Sequence, residues 1–249
     1  MDIKKQYNRL VDDTLEYLTT GFARRWREQT PEERSELIEE NAGDDGRPVV
    51  PSARVQENSA HPRFLQLDGV NAEVLDCTKC PLHQERRNAV PGRGPVDAEV
   101  MFIGEGPGEM EDIQGEPFVG KAGQLLTKML SAIQLKREEV YITNVVKCRP
   151  PGNRTPLPEE VATCFPYLER QIEIIGPLII CCLGGPAANA ILGSDSGISK
   201  LRGTIHLFRD IPVIPTYHPA AVLRFPEKYK RPVWNDLKML RDYYRDIKK

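Results

Sequence analysis

Long apolar runs are missing from these 249 residues, and so is any surplus of one charge: 34 basic side chains stand against 36 acidic ones. No stretch approaches the roughly 20 apolar residues needed to cross a bilayer, which excludes a membrane-spanning helix. The start, MDIKKQYNRL, has none of the apolar block of a secretory signal. A soluble, cytoplasmic protein without a membrane partner is therefore expected. Phosphate-binding signatures are missing too. The glycine-rich segment GEGPGEMEDIQGEPFVGKAG (104–123) is neither a Walker loop nor G-x-G-x-x-G. Among its carboxylates, Glu105, Glu109, Glu111 and Asp112 disfavour a nucleotide triphosphate, which a loop would cradle with backbone N–H groups at a helix start. Nor does the net charge of −2 show the basic excess usual in nucleic-acid binders.

What is present is unevenly spread. Residues 1–60 carry 9 basic and 13 acidic side chains, leaving 25 and 23 for residues 61–249. The first part reads as an acidic, partly helical appendage. Ile3, Tyr7, Leu10, Val11, Leu18, Phe22 and Trp26 recur at helical spacing, a second helix can start at Thr30-Pro31-Glu32-Glu33, and a Gly/Pro/Ser-rich linker follows. From residue 70 onward, apolar strand-like runs (98–104, 140–146, 178–184, 211–217) alternate with helical ones (123–133, 159–175, 186–192, 226–246). That alternation predicts an α/β fold: a three-layer α/β/α domain over 61–249, with a central, mainly parallel four-stranded sheet, plus the N-terminal helical appendage. Ligands then belong at the C-terminal ends of the strands.

Six cysteines in a chain expected to be cytoplasmic read as thiols or ligands before disulfides. Cys181 and Cys182 lie in the apolar run LIICCLG and are expected to pack in the core. Cys77 and Cys80 form C-x-x-C, Cys148 follows a strand, and Cys164 lies in the next helix. By spacing alone these four suit a zinc site, an iron–sulfur cluster, or a redox pair with two bystanders. Metal or cluster is the better fit, with iron–sulfur and zinc undecided.

The segments GEGPGEMEDIQGEPFVGKAGQLL, ITNVVKCRPPGNRTPLPEE and TYHPAAVLR, together with the four-cysteine spacing, resemble the type-4 uracil-DNA glycosylases. The likeness spans about residues 73–245. It implies an enzyme that flips uracil out of DNA, hydrolyses the N-glycosidic bond and leaves an abasic site, as in base excision repair. No lysine stands out as a Schiff-base former, so a monofunctional glycosylase is expected. The resemblance further implies a 4Fe-4S cluster on Cys77, Cys80, Cys148 and Cys164. It implies Phe118 stacking on the base, Asn144 pairing with its amide edge, and His218 donating to O2. Glu105, Gly106 and Pro107 would line the pocket, Glu105 beside the reacting bond, and Glu111 would close it near uracil C5. Where a better-studied branch of the superfamily has an aspartate, this chain has Gly106.

Each of these residues also has an ordinary use: a core Phe, an Asn in a turn, a His before Pro. The partner is uracil-containing DNA, single- or double-stranded. Its contacts are expected from Lys200, Arg202, Leu223 and Arg224, since residues 198–231 carry seven basic side chains against two acidic ones around His218. Lys79, Arg86, Arg87 and Arg93 offer a second basic patch. A monomer is expected, with residues 1–60 available to a repair or replication partner. The competing reading is a non-catalytic, metal- or cluster-containing module that binds DNA or a base.

Overall fold

The computed structural model describes residues 62–249, so the appendage read over residues 1–60 lies outside the described residues. The chain enters through helix α1 (Pro62–Leu75) and crosses the cysteine-bearing segment. It then alternates β1 (Val100–Gly104), α2 (Glu109–Gln114), α3 (Lys121–Ala132), β2 (Tyr141–Asn144), α4 (Pro158–Ile175), β3 (Ile179–Leu183), α5 (Gly185–Leu192) and α6 (Ile198–Leu201). Strands β4 (His206–Phe208) and β5 (Ile211–Thr216) follow, then α7 (Pro219–Arg224) and α8 (Pro226–Ile247).

The sheet order is β2-β1-β3-β5-β4. Strands β2, β1, β3 and β5 are parallel, as the alternation predicts, and the three-residue β4 adds an antiparallel edge. The sheet thus has five strands where four are expected, because β4 is too short to show a period of its own. Strand residues point alternately to the two faces. Met101, Ile103, Tyr141, Ile180, Cys182 and Val213 join the core under α1, α4 and α5. Val100, Phe102, Ile142, Ile179, Cys181 and Ile214 join the core under α3 and α8. Cys181 and Cys182 are therefore buried, one in each core, and burial pushes both thiols up.

Helix α1 closes over α4 through Leu67, Val70 and Val74 and through the Glu73–Arg170 ion pair. This helix begins where the linker reading ends. From β1 the chain moves outward to β2 and then returns across to β3, so the sheet reverses direction between β1 and β3 at its C-terminal edge. Such a reversal is where α/β folds hold ligands.

Candidate active site and cysteine pocket

Three residues expected to handle the base meet at that edge, each delivered by a different strand. Asn144 ends β2, Phe118 sits in the loop between β1 and α3, and His218 caps α7 just beyond β5. The Phe118 and His218 rings lie 5.6 Å apart between centroids, tilted by 32°. Phe118 holds a left-handed φ of 53°. A bulky residue rarely adopts that conformation unless its surroundings enforce it, and such strain clusters at binding sites. Two glycines make the arrangement possible. A Cβ on Gly104 would collide with the Phe118 ring and Asn144 Oδ1, and one on Gly123 would collide with the Phe118 backbone. Arg137 braces the same turn, its Nη2 donating to the Pro117 carbonyl at 2.6 Å.

Asn144 is 1% exposed, and its Oδ1 is the sole buried side-chain polar atom without a hydrogen-bond partner among the described residues. Leaving such an acceptor unmet costs about 1–3 kcal/mol, so it marks a place where a donor from outside belongs.

His218 is half-buried and defined chemically by its neighbours. Its Nδ1 accepts from the Ala220 backbone N–H at 3.1 Å. An accepting Nδ1 puts the ring proton of the neutral imidazole on Nε2, which leaves Nε2–H as a donor. Desolvation pushes the imidazole down to about 4, against the opposing field of Glu111. At neutral pH the ring is an uncharged donor.

Glu111 staples the acidic loop. Oε1 accepts from the N–H groups of Val119 and Gly120 at 2.9 Å each, and Oε2 accepts from Gly108 at 3.1 Å. Both oxygens are thus spent on the backbone that frames Phe118. Glu105 is half-buried next to Thr155, and desolvation raises its pKa. Gly106 lies against Val146, Pro107 is buried, and the Glu105 carbonyl accepts from Val146 N–H at 3.1 Å.

Of the expected DNA contacts, Lys200, Leu223 and Arg224 are exposed. Arg202 is placed differently. Its guanidinium engages Asp236 through two hydrogen bonds of 2.9 and 2.7 Å and donates to the Pro232 carbonyl, which removes it from the phosphate-facing set. Asp236 in turn accepts from Thr216 Oγ1 at 2.6 Å, bracing the end of β5 two residues before His218. Arg209 is also turned away, onto Glu169 and Glu173. In the second patch, Arg93 pairs with Glu116. His206 bonds the Leu201 carbonyl and stays outside the site.

Cys77, Cys80, Cys148 and Cys164 line one apolar pocket on the α1/α4 side, together with Val74, Lys79, His83, Lys147, Thr163 and Tyr167. Donors already point at the sulfurs. Arg86 Nη1 lies 3.0 Å from Cys148 Sγ, and the Lys147 backbone N–H lies 3.3 Å from Cys164 Sγ. Arg86 also donates to the Leu75 carbonyl, so this residue belongs to the pocket and not to a DNA surface. Burial pushes the Cys148 thiol up, and the Cys164 thiol to about 11. Among the described residues, no group of three or more His, Cys, Asp or Glu side chains is arranged to hold a single metal ion.

The segment that follows the first cysteine pair is tied to both the acidic loop and β2. Asp112 in α2 accepts from the Arg87 N–H, and Val90 N–H donates to the Lys147 carbonyl. Lys147, one residue from Cys148 and three from Asn144, is fully buried and escapes a motif reading. Its signal in the sequence is a lone charge inside the apolar run ITNVVKC. Burial pushes its pKa down to about 7, and a negative charge at Cys164 works against that shift.

Residues 91–238 match the family model of the uracil DNA glycosylase superfamily. A type-4 uracil-DNA glycosylase of Archaeoglobus fulgidus is 50% identical over 169 residues, which cover 65% of this chain and 85% of that protein. The type-4 uracil-DNA glycosylase of Thermotoga maritima is 52% identical over 157 residues, covering 62% and 82%. A type-5 uracil-DNA glycosylase of Pyrobaculum aerophilum is 30% identical over 193 residues, covering 64% and 84%. Fold and relatives agree: the chain belongs to the uracil-DNA glycosylase superfamily, in its type-4 family.

Proposed function

We propose that this protein removes uracil from DNA by hydrolysing the N-glycosidic bond of a flipped nucleotide, leaving an abasic site. The observation that carries this reading is the unmet acceptor on Asn144. Uracil presents an N3–H donor between two carbonyls, so Oδ1 takes the N–H while the amide nitrogen serves O4. Cytosine offers the reverse pattern and leaves the buried amide unpaired, a mismatch that polar sites use to reject analogues strongly.

The flipped base stacks on Phe118, whose ring is held in place by Gly104, Gly123 and the Arg137 brace. As the bond to the sugar breaks, negative charge builds on uracil O2. His218 meets it with Nε2–H, a fixed dipole that needs no proton transfer. Glu105, desolvated at the loop mouth, is the carboxylate beside the sugar. Ionised above its raised pKa, it stabilises positive charge on the sugar and orients the attacking water. Glu111 holds the loop closed around this chemistry. DNA contacts come from exposed Lys200, Leu223 and Arg224, with Leu223 reaching toward the stack that the base has left.

The cysteine pocket fits a 4Fe-4S cluster. Four thiols converge on an apolar space, and N–H donors already face two of the sulfurs. When bound, the cluster supplies a cross-link between the segment carrying Cys77 and Cys80 and the elements carrying Cys148 and Cys164. Hydrolytic excision itself calls for no electron transfer.

Incubation with a labelled uracil-containing oligonucleotide, followed by alkali, tests the reaction. Strand breaks at uracil are expected. Cleavage no higher than that of an Asn144→Ala variant would overturn the enzyme reading and leave a non-catalytic binding module.

A further inference from the structure

Lys147 is 1% exposed, and among the described residues it is the one cation with a fully buried side chain. Its three ammonium hydrogens have three acceptors: Thr143 Oγ1 at 2.6 Å, Gln171 Oε1 at 2.7 Å and the Asn144 carbonyl at 2.8 Å. All three are neutral. A buried charge without an opposite charge is costly, and natural proteins retain one where something compensates it. On its other side, Lys147 lines the pocket of the four cysteines. Its backbone N–H donates to Cys164 Sγ and its carbonyl accepts from Val90. Every polar group of this residue is thus engaged, the backbone N–H toward Cys164 and one ammonium hydrogen toward the residue that ends β2.

We propose that Lys147 is a positioning residue that ties the end of β2 to the cysteine pocket, its ammonium aiming Asn144 through the Asn144 carbonyl while its backbone N–H faces Cys164. This rests on the reading of Asn144 as the group that recognises the base. The Asn144 side chain makes no hydrogen bond that could fix its own angle through Oδ1, so its aim depends on its backbone. That backbone is held by the β1 ladder and by the ammonium. Thr143 and Gln171 keep the ammonium in place: Thr143 Oγ1 donates onward to the Pro91 carbonyl at 2.7 Å, and Gln171 Nε2 donates to Pro91 O and to Asn71 Oδ1 at 3.0 Å each.

The test is a double-mutant cycle on the full chain with its cluster, read by single-turnover excision of uracil from a labelled oligonucleotide. Lys147→Met keeps the side-chain length and removes the ammonium. The rate should fall roughly 10- to 100-fold, the scale of a misplaced reactive group. In an Asn144→Ala background the same substitution should cost less than about threefold, because the group it positions is gone. Visible absorption of the cluster per mole of protein should be unchanged. Its midpoint potential should move to more negative values, since removing a nearby cation makes an added electron less stable.

Equal losses in the two backgrounds, or an unchanged potential, would overturn the proposal. If Lys147→Met does not fold with its cluster, Thr143→Val decides. It removes one of the three acceptors and should show a smaller loss with the same dependence on Asn144, and an independent effect would overturn the proposal. A wild-type protein that excises no uracil defeats the function and this inference together, whereas an active wild type with an uncoupled pair defeats this inference alone.

Discussion

On one side of β2, Asn144 presents an acceptor that nothing in the protein meets; four residues later, Cys148 Sγ already receives a guanidinium N–H. The base pocket and the cysteine pocket are therefore neighbours along five residues of chain and are finished in opposite ways. In the first, strain at Phe118, two crowded glycines and an unpaired amide are maintained at a cost to stability. In the second, apolar walls and N–H···S contacts already surround the sulfurs. With the proposed cluster in place, the difference separates a site completed at each turnover from one completed once, during folding. Stability and activity should consequently respond to substitution in different ways on the two sides.

Cys148→Ser should have the largest effect. If Cys148 is a ligand of the proposed cluster, its loss from a site that joins three segments removes binding free energy that is also folding free energy, so several kcal/mol of stability and the visible absorption of the cluster should go together with excision. Thermal unfolding and an absorption spectrum check this. Asn144→Ala should break the comparison from the other side. Excision should fall by about 10² to 10³, the range for removing one preorganised polar group. Thermal stability should not fall by more than about 1 kcal/mol, because the deleted acceptor had no partner to lose. A large drop in melting temperature for Asn144→Ala would show that the amide is structural.

The sequence exposed these two sites to different depths. The four parallel strands were legible because each is a short apolar run bounded by turn residues, and order alone put Asn144 and His218 at strand ends. Helix α1 was not, since Asp68, Gly69 and Asn71 dilute its apolar face, and its packing partner α4 is some hundred residues away, as Glu73–Arg170 and Asn71–Gln171 show. Strand β4 is too short for a period to register. Arg202 looked like a phosphate contact because its local surroundings are basic, while the carboxylate that claims it stands at Asp236. Lys147 went unread for the same reason. A motif names the residues that touch a ligand, whereas the residue that aims them is identified by distances.

The pH profile sharpens the base pocket in isolation. Glu105 has its pKa raised by desolvation, so its carboxylate is lost first as pH falls, at a higher pH than an ordinary glutamate. His218, pushed down to about 4, keeps its accepting Nδ1 until well below neutrality. Protonation there would put a hydrogen against the Ala220 N–H and end the arrangement that leaves Nε2–H for the base. Excision should therefore be flat near neutral pH and fall in two steps on the acid side, with Glu105→Gln abolishing the upper step. The stability effect of His218 has a definite sign. Its folded pKa lies below the usual 6.5, so the unfolded chain binds the proton more readily, and stability is lost as pH falls from 6.5 toward about 4. Single-turnover rates and melting temperatures across that window check both.

The smallest effect should come from Leu223, and it sharpens the comparison by leaving both pockets intact. The residue is 49% exposed on α7, the helix whose N-terminus His218 caps, while its neighbour Val222 is buried in the core beside α8. An exposed leucine adds little to folding, so Leu223→Ala should change stability by less than about 0.5 kcal/mol and leave the cluster absorption alone. In duplex DNA, extruding a base leaves a gap in the stack that an apolar wedge can fill, whereas a single strand has no stack to repair. Excision from duplex substrate should therefore slow several-fold while excision from a single strand stays unchanged. Parallel losses on both substrates would move Leu223 out of the wedge role and into general DNA contact alongside Lys200 and Arg224.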